Sequence, residues 1–247
     1  MPTGSCRADS QTDWPKQMDQ KDSVGKLETL NAGGQDFLSI YTEQTSKTSK
    51  GQIIILHDHL QHPNWNDLIQ PVRTKFPNHG WSTLSIELPK ANKEAGDKEF
   101  SQLPGQSTSR ILAAQAMLQG KNATKIIVIA YGLGARMAIE WLSKTPQPPI
   151  AALIIISMAD GDKGSGLDSN TDLIKIKIPV LDIIAENDAR QVLTAAKERY
   201  EQRSKMQKYR QMEIIAADHF YNQHEDELIK RIRGWLKVTF KTEKKQE

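Results

Sequence analysis

The chain has 247 residues, room for one sizeable α/β domain with a real core. Its 33 basic and 30 acidic residues leave a net charge of +3, too little to argue for nucleic acid as a partner. A single cysteine, Cys6, excludes an intrachain disulfide, and no apolar run approaches the ~20 residues of a membrane span.

Residues 1–25 carry few apolar side chains and little periodicity, which predicts disorder or a loosely held arm. Met1 to Asp22 shows no signal-peptide pattern. That start suits a cytoplasmic protein if Met1 is the true start, and equally a mature exported chain written without its leader. Cys6 as a lipid-attachment site lacks a lipobox before it. Lys26–Leu30 and Phe37–Thr42 read as two strands joined by the turn at 31–34 and paired antiparallel at a sheet edge. Gly51–His57 is an unbroken apolar strand of central type.

Asn64 to His79 has Trp65, Leu68, Ile69, Val72 and Phe76 at helical spacing, with Pro71 starting or kinking a turn. Ser82–Leu88 is a strand closed by Pro89. The polar segment Lys90 to Gly105 leads to a helix over Ser107–Gly120 with Ile111, Ala114 and Leu118 on one side. Further strands follow at 125–130, 150–157, 180–185 and 212–217, with helices at 135–144, 189–204 and 225–240. The tail at 241–247 is of mixed charge and reads as solvated. This alternation predicts one α/β domain over 26–240, a mostly parallel twisted sheet with helices on both faces and the N-terminal hairpin at its edge. The connection Met158–Ile178 is short and carries Gly161, Gly164 and Gly166, which predicts an open pocket without a large lid.

The most telling stretch is Ile126–Ala130 followed by Tyr131-Gly132-Leu133-Gly134-Ala135. A buried strand turns sharply into a helix through small residues, the shape on which an α/β-hydrolase displays its nucleophile. Its central position is Gly132. A side chain there sits at φ above zero at a cost of about 1–3 kcal/mol, so glycine removes both the hydroxyl and the strain. Downstream, the strand at 180–185 runs into Asp188 and the strand at 212–217 into His219. Elbow, acid and histidine is the hydrolase chain order, and each falls at the carboxyl end of a predicted parallel strand. In such a triad the imidazole takes the proton of an attacking group and the carboxylate fixes its tautomer. Taken singly, Asp188 also reads as a helix cap and His219 as a polar strand end.

Leu56-His57-Asp58-His59 follows a central strand, where a second oxyanion donor is expected beside the amide of Leu133. Asp58, His59 and Leu133 are therefore the candidate pocket residues. The carboxylate of Asp58 would repel a developing negative oxygen. Ser157, Tyr131 and water activated by His219 are the substitutes for a missing hydroxyl. His57, Asp58, His59 and His62 also admit a metal reading, although their spacing fits no standard zinc motif, and no metal or cofactor is expected.

The segments His57–Trp65, Gly80–Pro89, Tyr131–Ala135 and Ala217–Phe220 carry a resemblance. The span 26–240 is similar to the α/β-hydrolase fold, and within it the chain resembles the bacterial family DUF3530. The Gln-His-Pro-x-Trp stretch is the most specific part of that likeness. The resemblance implies a hydrolase-like fold without an assigned activity and a periplasmic setting. The combined expectation is a non-catalytic binding or scaffolding protein of the bacterial envelope, whose partner is an envelope protein or a small molecule and not nucleic acid. The alternative is an atypical ester or acyl hydrolase that uses His219 and Asp188 with water or another hydroxyl.

Overall fold

The computed structural model describes residues 14–18, 23–90, 97–160 and 168–243. Eight strands form one sheet: β1 (Lys26–Ala32), β2 (Gln35–Thr42), β3 (Gly51–Leu56), β4 (Trp81–Ile86), β5 (Ile126–Tyr131), β6 (Ala152–Ile156), β7 (Val180–Asn187) and β8 (Tyr209–Asp218). Their order is β1-β2-β4-β3-β5-β6-β7-β8. β1 and β2 form the antiparallel edge hairpin, β2 pairs antiparallel with β4, and every pairing from β4 through β8 is parallel.

The helices are α1 (Trp14–Gln17), α2 (Ile69–Lys75), α3 (Asp97–Gly120), α4 (Leu133–Ser143), α5 (Ser169–Leu173), α6 (Arg190–Glu201) and α7 (Glu225–Glu243). The central strands β3, β4, β5 and β6 are buried at every position because both faces of the sheet are covered. Ile54, Leu56, Val128 and Ala130 pack towards α3 and α4, while Ile53, Ile55, Ile127 and Ile129 pack towards α2 and α7. The period-2 alternation of a strand thus divides one apolar run between two cores.

The largest departures from the sequence expectation lie in three places. Within the segment expected as a loose arm, Trp14 and Met18 are buried against Ile40, and the Trp14 ring stacks on His62 at 5.6 Å and 6°. Residues 1–13 and 19–22 of that arm, 161–167 of the short connection and 244–247 of the tail lie outside the described residues. α2 starts at Ile69, five residues later than its periodicity suggests, and Pro71 falls in its first turn, where a missing N–H costs nothing. α3 starts ten residues early and runs through Pro104, because Leu103 is buried in the core and Ser107 Oγ donates to its carbonyl at 2.7 Å.

Behind the sheet lies a polar network that the sequence does not announce. Arg199 and Asp182, both fully buried, form a two-pronged pair: Nε to Oδ2 at 2.8 Å and Nη2 to Oδ1 at 3.2 Å. Tyr209 and Gln211 also donate to Asp182. These bonds join β7, β8 and α6 below the strand ends that carry the candidate site.

Candidate functional site at the carboxyl ends of the strands

Asp58, Gly132, Ser157, Asp188 and His219 come from the ends of β3, β5, β6, β7 and β8 and line or back one place in the fold. Gly132 joins β5 to α4 with φ 52° and ψ −120°, the left-handed side of backbone space that disfavours a side chain. Its N–H donates to Ile156 O at 3.0 Å, which ties the turn to the neighbouring strand. Gly134 allows α4 to approach β3, since a β-carbon there would lie 2.5 Å from the His57 carbonyl.

The space beside Gly132 is filled from the other loop. A β-carbon on Gly132 would overlap the Asp58 carboxylate, no more than 2.5 Å from Cγ, Oδ1 or Oδ2. Asp58 Oδ1 accepts from Leu133 N–H at 2.6 Å and from its neighbour His59 N–H at 2.7 Å. These are the two amides that a hydrolase site of this shape would turn on an oxyanion. Burial raises the pKa of Asp58, and the two amide bonds oppose that rise without cancelling it.

His57 explains how the loop is held. It is fully buried; its Nδ1–H donates to the Asp58 carbonyl at 2.7 Å and its Nε2 accepts from Leu88 N–H at 3.0 Å. Burial lowers its pKa to about 3, so the ring is neutral and both nitrogens are committed to joining the ends of β3 and β4. His62 accepts from Asn64 N–H and lies against Trp14 and Trp65, with its pKa lowered to about 4, chiefly by burial. Among the described residues no three metal-ligating side chains are grouped. His57, Asp58 and His62 instead serve three separate hydrogen-bond sets.

The other half of the site is an ordered acid–imidazole pair. His219 Nδ1 donates to Asp188 Oδ1 at 2.6 Å. Asp188 Oδ1 also accepts from Ala189 N–H at 2.8 Å, and Oδ2 accepts from Ser157 Oγ–H and from Ala185 N–H at 3.3 Å. Burial works to raise the Asp188 pKa, but the bonds from His219 and Ser157 outweigh it and hold the carboxylate below its usual range. The Asp188 bond raises the His219 pKa against the opposing effect of burial, with the charges of Asp188, Asp58 and Asp218 adding to it.

Ser157 was expected from the sequence only as a substitute hydroxyl, and Tyr221 was not visible as part of this site. Tyr221 OH lies 2.9 Å from Ser157 Oγ, and both residues hold positive φ, 46° for Ser157 and 57° for Tyr221. Such backbones persist where the surroundings enforce them. Here they brace Asp188. Ser157 therefore serves the acid and is not hydrogen-bonded to the imidazole. Tyr131 OH donates to the His219 carbonyl at 3.1 Å, and so holds the histidine through its backbone.

The cavity these groups share has a volume of about 360 Å³ and is also lined by Leu133, Ala159 and Val192. A mostly parallel eight-stranded sheet, a strand–turn–helix at Gly132 and an acid–histidine pair on the last two strands define an α/β-hydrolase fold. The profile of the family described as "Protein of unknown function (DUF3530)" matches residues 13–109 and 98–238, and the chain belongs to that family.

Among solved structures, Est1E from Butyrivibrio proteoclasticus with bound ferulic acid superposes with a TM-score of 0.71 at 14% identity, covering 86% of this chain and 99% of that one. The esterase Pf2001 from Pyrococcus furiosus gives 0.70 at 16% identity, over 97% and 96%. ATU1826 from Agrobacterium tumefaciens, a putative α/β hydrolase by its own description, gives 0.68 at 18% identity, over 88% and 98%. At these identities the likeness is one of fold. No curated protein matches the sequence.

Two predictions follow from the geometry. Gly132→Ala should be strongly destabilising, and its penalty should drop by about 1 kcal/mol or more in an Asp58→Gly background, because the carboxylate it strikes is gone. Urea unfolding of the four proteins in the cycle measures this, and additive penalties would contradict it. The second concerns pH. His57 and His62 have folded pKa values below their unfolded value of 6.5, so their contribution is present above 6.5 and is lost as the unfolded chain takes up protons below it. Each costs up to about 1.4 kcal/mol per pH unit between 6.5 and its folded value. The thermal midpoint should fall steadily from pH 6.5 to 4.5, and a flat profile would contradict the neutral, buried His57.

Proposed function

We propose that this chain is a hydrolase-fold protein that lacks the catalytic serine, with Gly132 in its place, and acts as a non-catalytic binding or scaffolding protein of the bacterial envelope. One observation carries the reading: the Asp58 carboxylate sits on the amides of Leu133 and His59 and fills the space a nucleophile's side chain needs. Each oxyanion-hole donor is worth about 2.7–4 kcal/mol to acyl transfer, and here both are already occupied. Two like charges about 4 Å apart near a protein surface repel by about 4 kcal/mol, so an ionised Asp58 opposes an incoming oxyanion as well. His219 and Asp188 are then residual triad members without an attacking group. The cavity beside them is in the size range of small-ligand sites, about 300–1,000 Å³. The envelope setting, periplasmic in particular, rests on the family resemblance.

A second reading has its own observation. Both hydrogen bonds to the Asp58 carboxylate fall on Oδ1, and the carboxylate lines the same cavity as His219. An acyl hydrolase using water at His219 would find no free donors for its oxyanion. The carboxylate itself is held as a nucleophile would be. Oδ2 would displace a leaving group from a saturated carbon and form an Asp58 alkyl ester. Water deprotonated by His219 would then add to Cγ, with the charge on Oδ1 received by the two amides, and the alcohol would leave as the ester bond breaks.

The test is a panel of short-chain p-nitrophenyl esters and thioesters with the wild-type protein. No turnover above buffer is expected, and turnover abolished by His219→Ala would overturn the non-catalytic reading. Mass spectrometry of His219→Gln exposed to 1-bromobutane and 1,2-epoxyhexane separates the two readings. An unmodified Asp58 agrees with the first, and an alkyl adduct on Asp58 would replace it with the second.

A further inference from the structure

The opposite end of the sheet carries a larger cavity, about 630 Å³, unrelated to the hydrolase-like site. Its walls are the amino ends of β3, β4 and β5 and one stripe of α7. Trp81 and Phe240 form an aromatic side, with their rings 6.2 Å apart. Lys50 and Lys125 come from the strand ends, and Lys230, Arg233 and Lys237 from the helix. Five cations thus face one space, and no carboxylate lines it among the described residues.

The chain as a whole is nearly balanced in charge, so this concentration is local. Of the five, Lys230 is paired with Glu227 at 3.3 Å, an exposed contact on the helix surface. The Lys125 ammonium lies over the Phe240 ring at 3.6 Å from its centroid. Among the described residues, Lys50, Arg233 and Lys237 have no ion-pair partner within 4.0 Å. The field of this group reaches His79, whose pKa is lowered by burial and then by Arg233 and Lys50. Gathering unpaired cations costs self-repulsion, which an anion would relieve.

Gly234 supplies an independent observation. It sits inside α7, where glycine costs about 1 kcal/mol relative to alanine. Packing does not demand it: a β-carbon built there meets nothing within 4 Å. It also carries no positive φ, so the helix geometry would accept any residue. What glycine does at 234 is leave the cavity wall open between Arg233 and Lys237. Lys230, Arg233, Gly234 and Lys237 lie at i, i+3, i+4 and i+7, one continuous face of the helix. On an ordinary amphipathic helix that spacing belongs to the apolar stripe. Here a second stripe of cations and a gap runs beside the buried one formed by Ile232, Trp235 and Leu236.

We propose that this cavity binds a single-chain anionic amphiphile, with a phosphate or carboxylate head held by Arg233, Lys237 and Lys50 and an apolar tail laid along Trp81, Leu236 and Phe240. An anion without a tail leaves the aromatic wall unused, and a neutral amphiphile leaves the cations unanswered. The proposal is independent of the reading of the Asp58 site, and either stands if the other fails.

The experiment uses the full chain with dodecyl phosphate and dodecanoate below their micelle concentrations, followed by calorimetry and by tryptophan fluorescence. Inorganic phosphate, dodecyl maltoside and dodecyltrimethylammonium are the controls. Both anionic amphiphiles should bind, at least tenfold more tightly than any control, and more weakly as salt rises. Arg233→Glu/Lys237→Glu, at exposed positions that should not affect folding, should weaken binding at least tenfold. Gly234→Leu should also weaken it at least tenfold while raising the thermal midpoint. His219→Ala should leave it unchanged. Vesicles of phosphatidylglycerol distinguish a membrane surface from a free amphiphile: binding to vesicles without binding to monomeric probes would overturn the cavity. Equal affinity for dodecyl maltoside, an unmoved affinity in the double variant, or no binding of either anionic probe would overturn it too.

Discussion

The bond pair from the Leu133 and His59 amides to one oxygen of Asp58 is the constraint on which the site depends. A carboxylate placed there needs the volume beside residue 132, and only a residue without a β-carbon leaves it. Gly132 and Asp58 are therefore one feature seen from two loops. The neutral, buried His57 completes it by fastening the Asp58 backbone to the end of β4. The loop after β3 is consequently held at both its main chain and its side chain, and the carboxylate cannot swing out without breaking two short amide bonds.

Around this filled centre the remaining parts are well ordered. Asp188 receives four hydrogen bonds, from His219, Ser157 and two backbone amides, and two residues with positive φ help to hold it. Below them, the buried Arg199–Asp182 pair and its partners on β8 tie the same strands together. Replacing such a network by apolar side chains is often neutral or stabilising, so its presence argues for a fixed geometry more than for stability. Order of this kind suits a surface that must keep one shape, whether it receives a ligand or positions a proton.

Much of the fold was legible because the strands state it twice. Four or more apolar β-formers in a row at 51–56, 126–130 and 152–156 require cover on both faces, and the single short hairpin can only sit at an edge. The chain order of Gly132, Asp188 and His219 was legible for the same reason, since each follows a strand end. The start of α3 was not, because Pro104 and Gly105 argue locally for a loop and the burial of Leu103 overrides them. The sequence placed Asp58 near the oxyanion position. That one carboxylate oxygen takes both amides depends on side-chain direction, which spacing does not encode. The bracing role of Ser157, read from the sequence only as a spare hydroxyl, and the presence of Tyr221 were hidden likewise: Ser157 lies 31 residues from Asp188, and Tyr221 lies 64 residues from Ser157. The cationic cavity was hidden because its walls come from three strand ends and a helix that are far apart along the chain.

If the carboxylate is what closes this site to acyl substrates, removing it and placing a hydroxyl at position 132 together should open it. The decisive measurement is p-nitrophenyl butyrate turnover by Asp58→Gly/Gly132→Ser beside each single variant. The account predicts hydrolysis by the double variant alone, lost again on adding His219→Ala. Equal hydrolysis by Gly132→Ser with Asp58 still in place would contradict it.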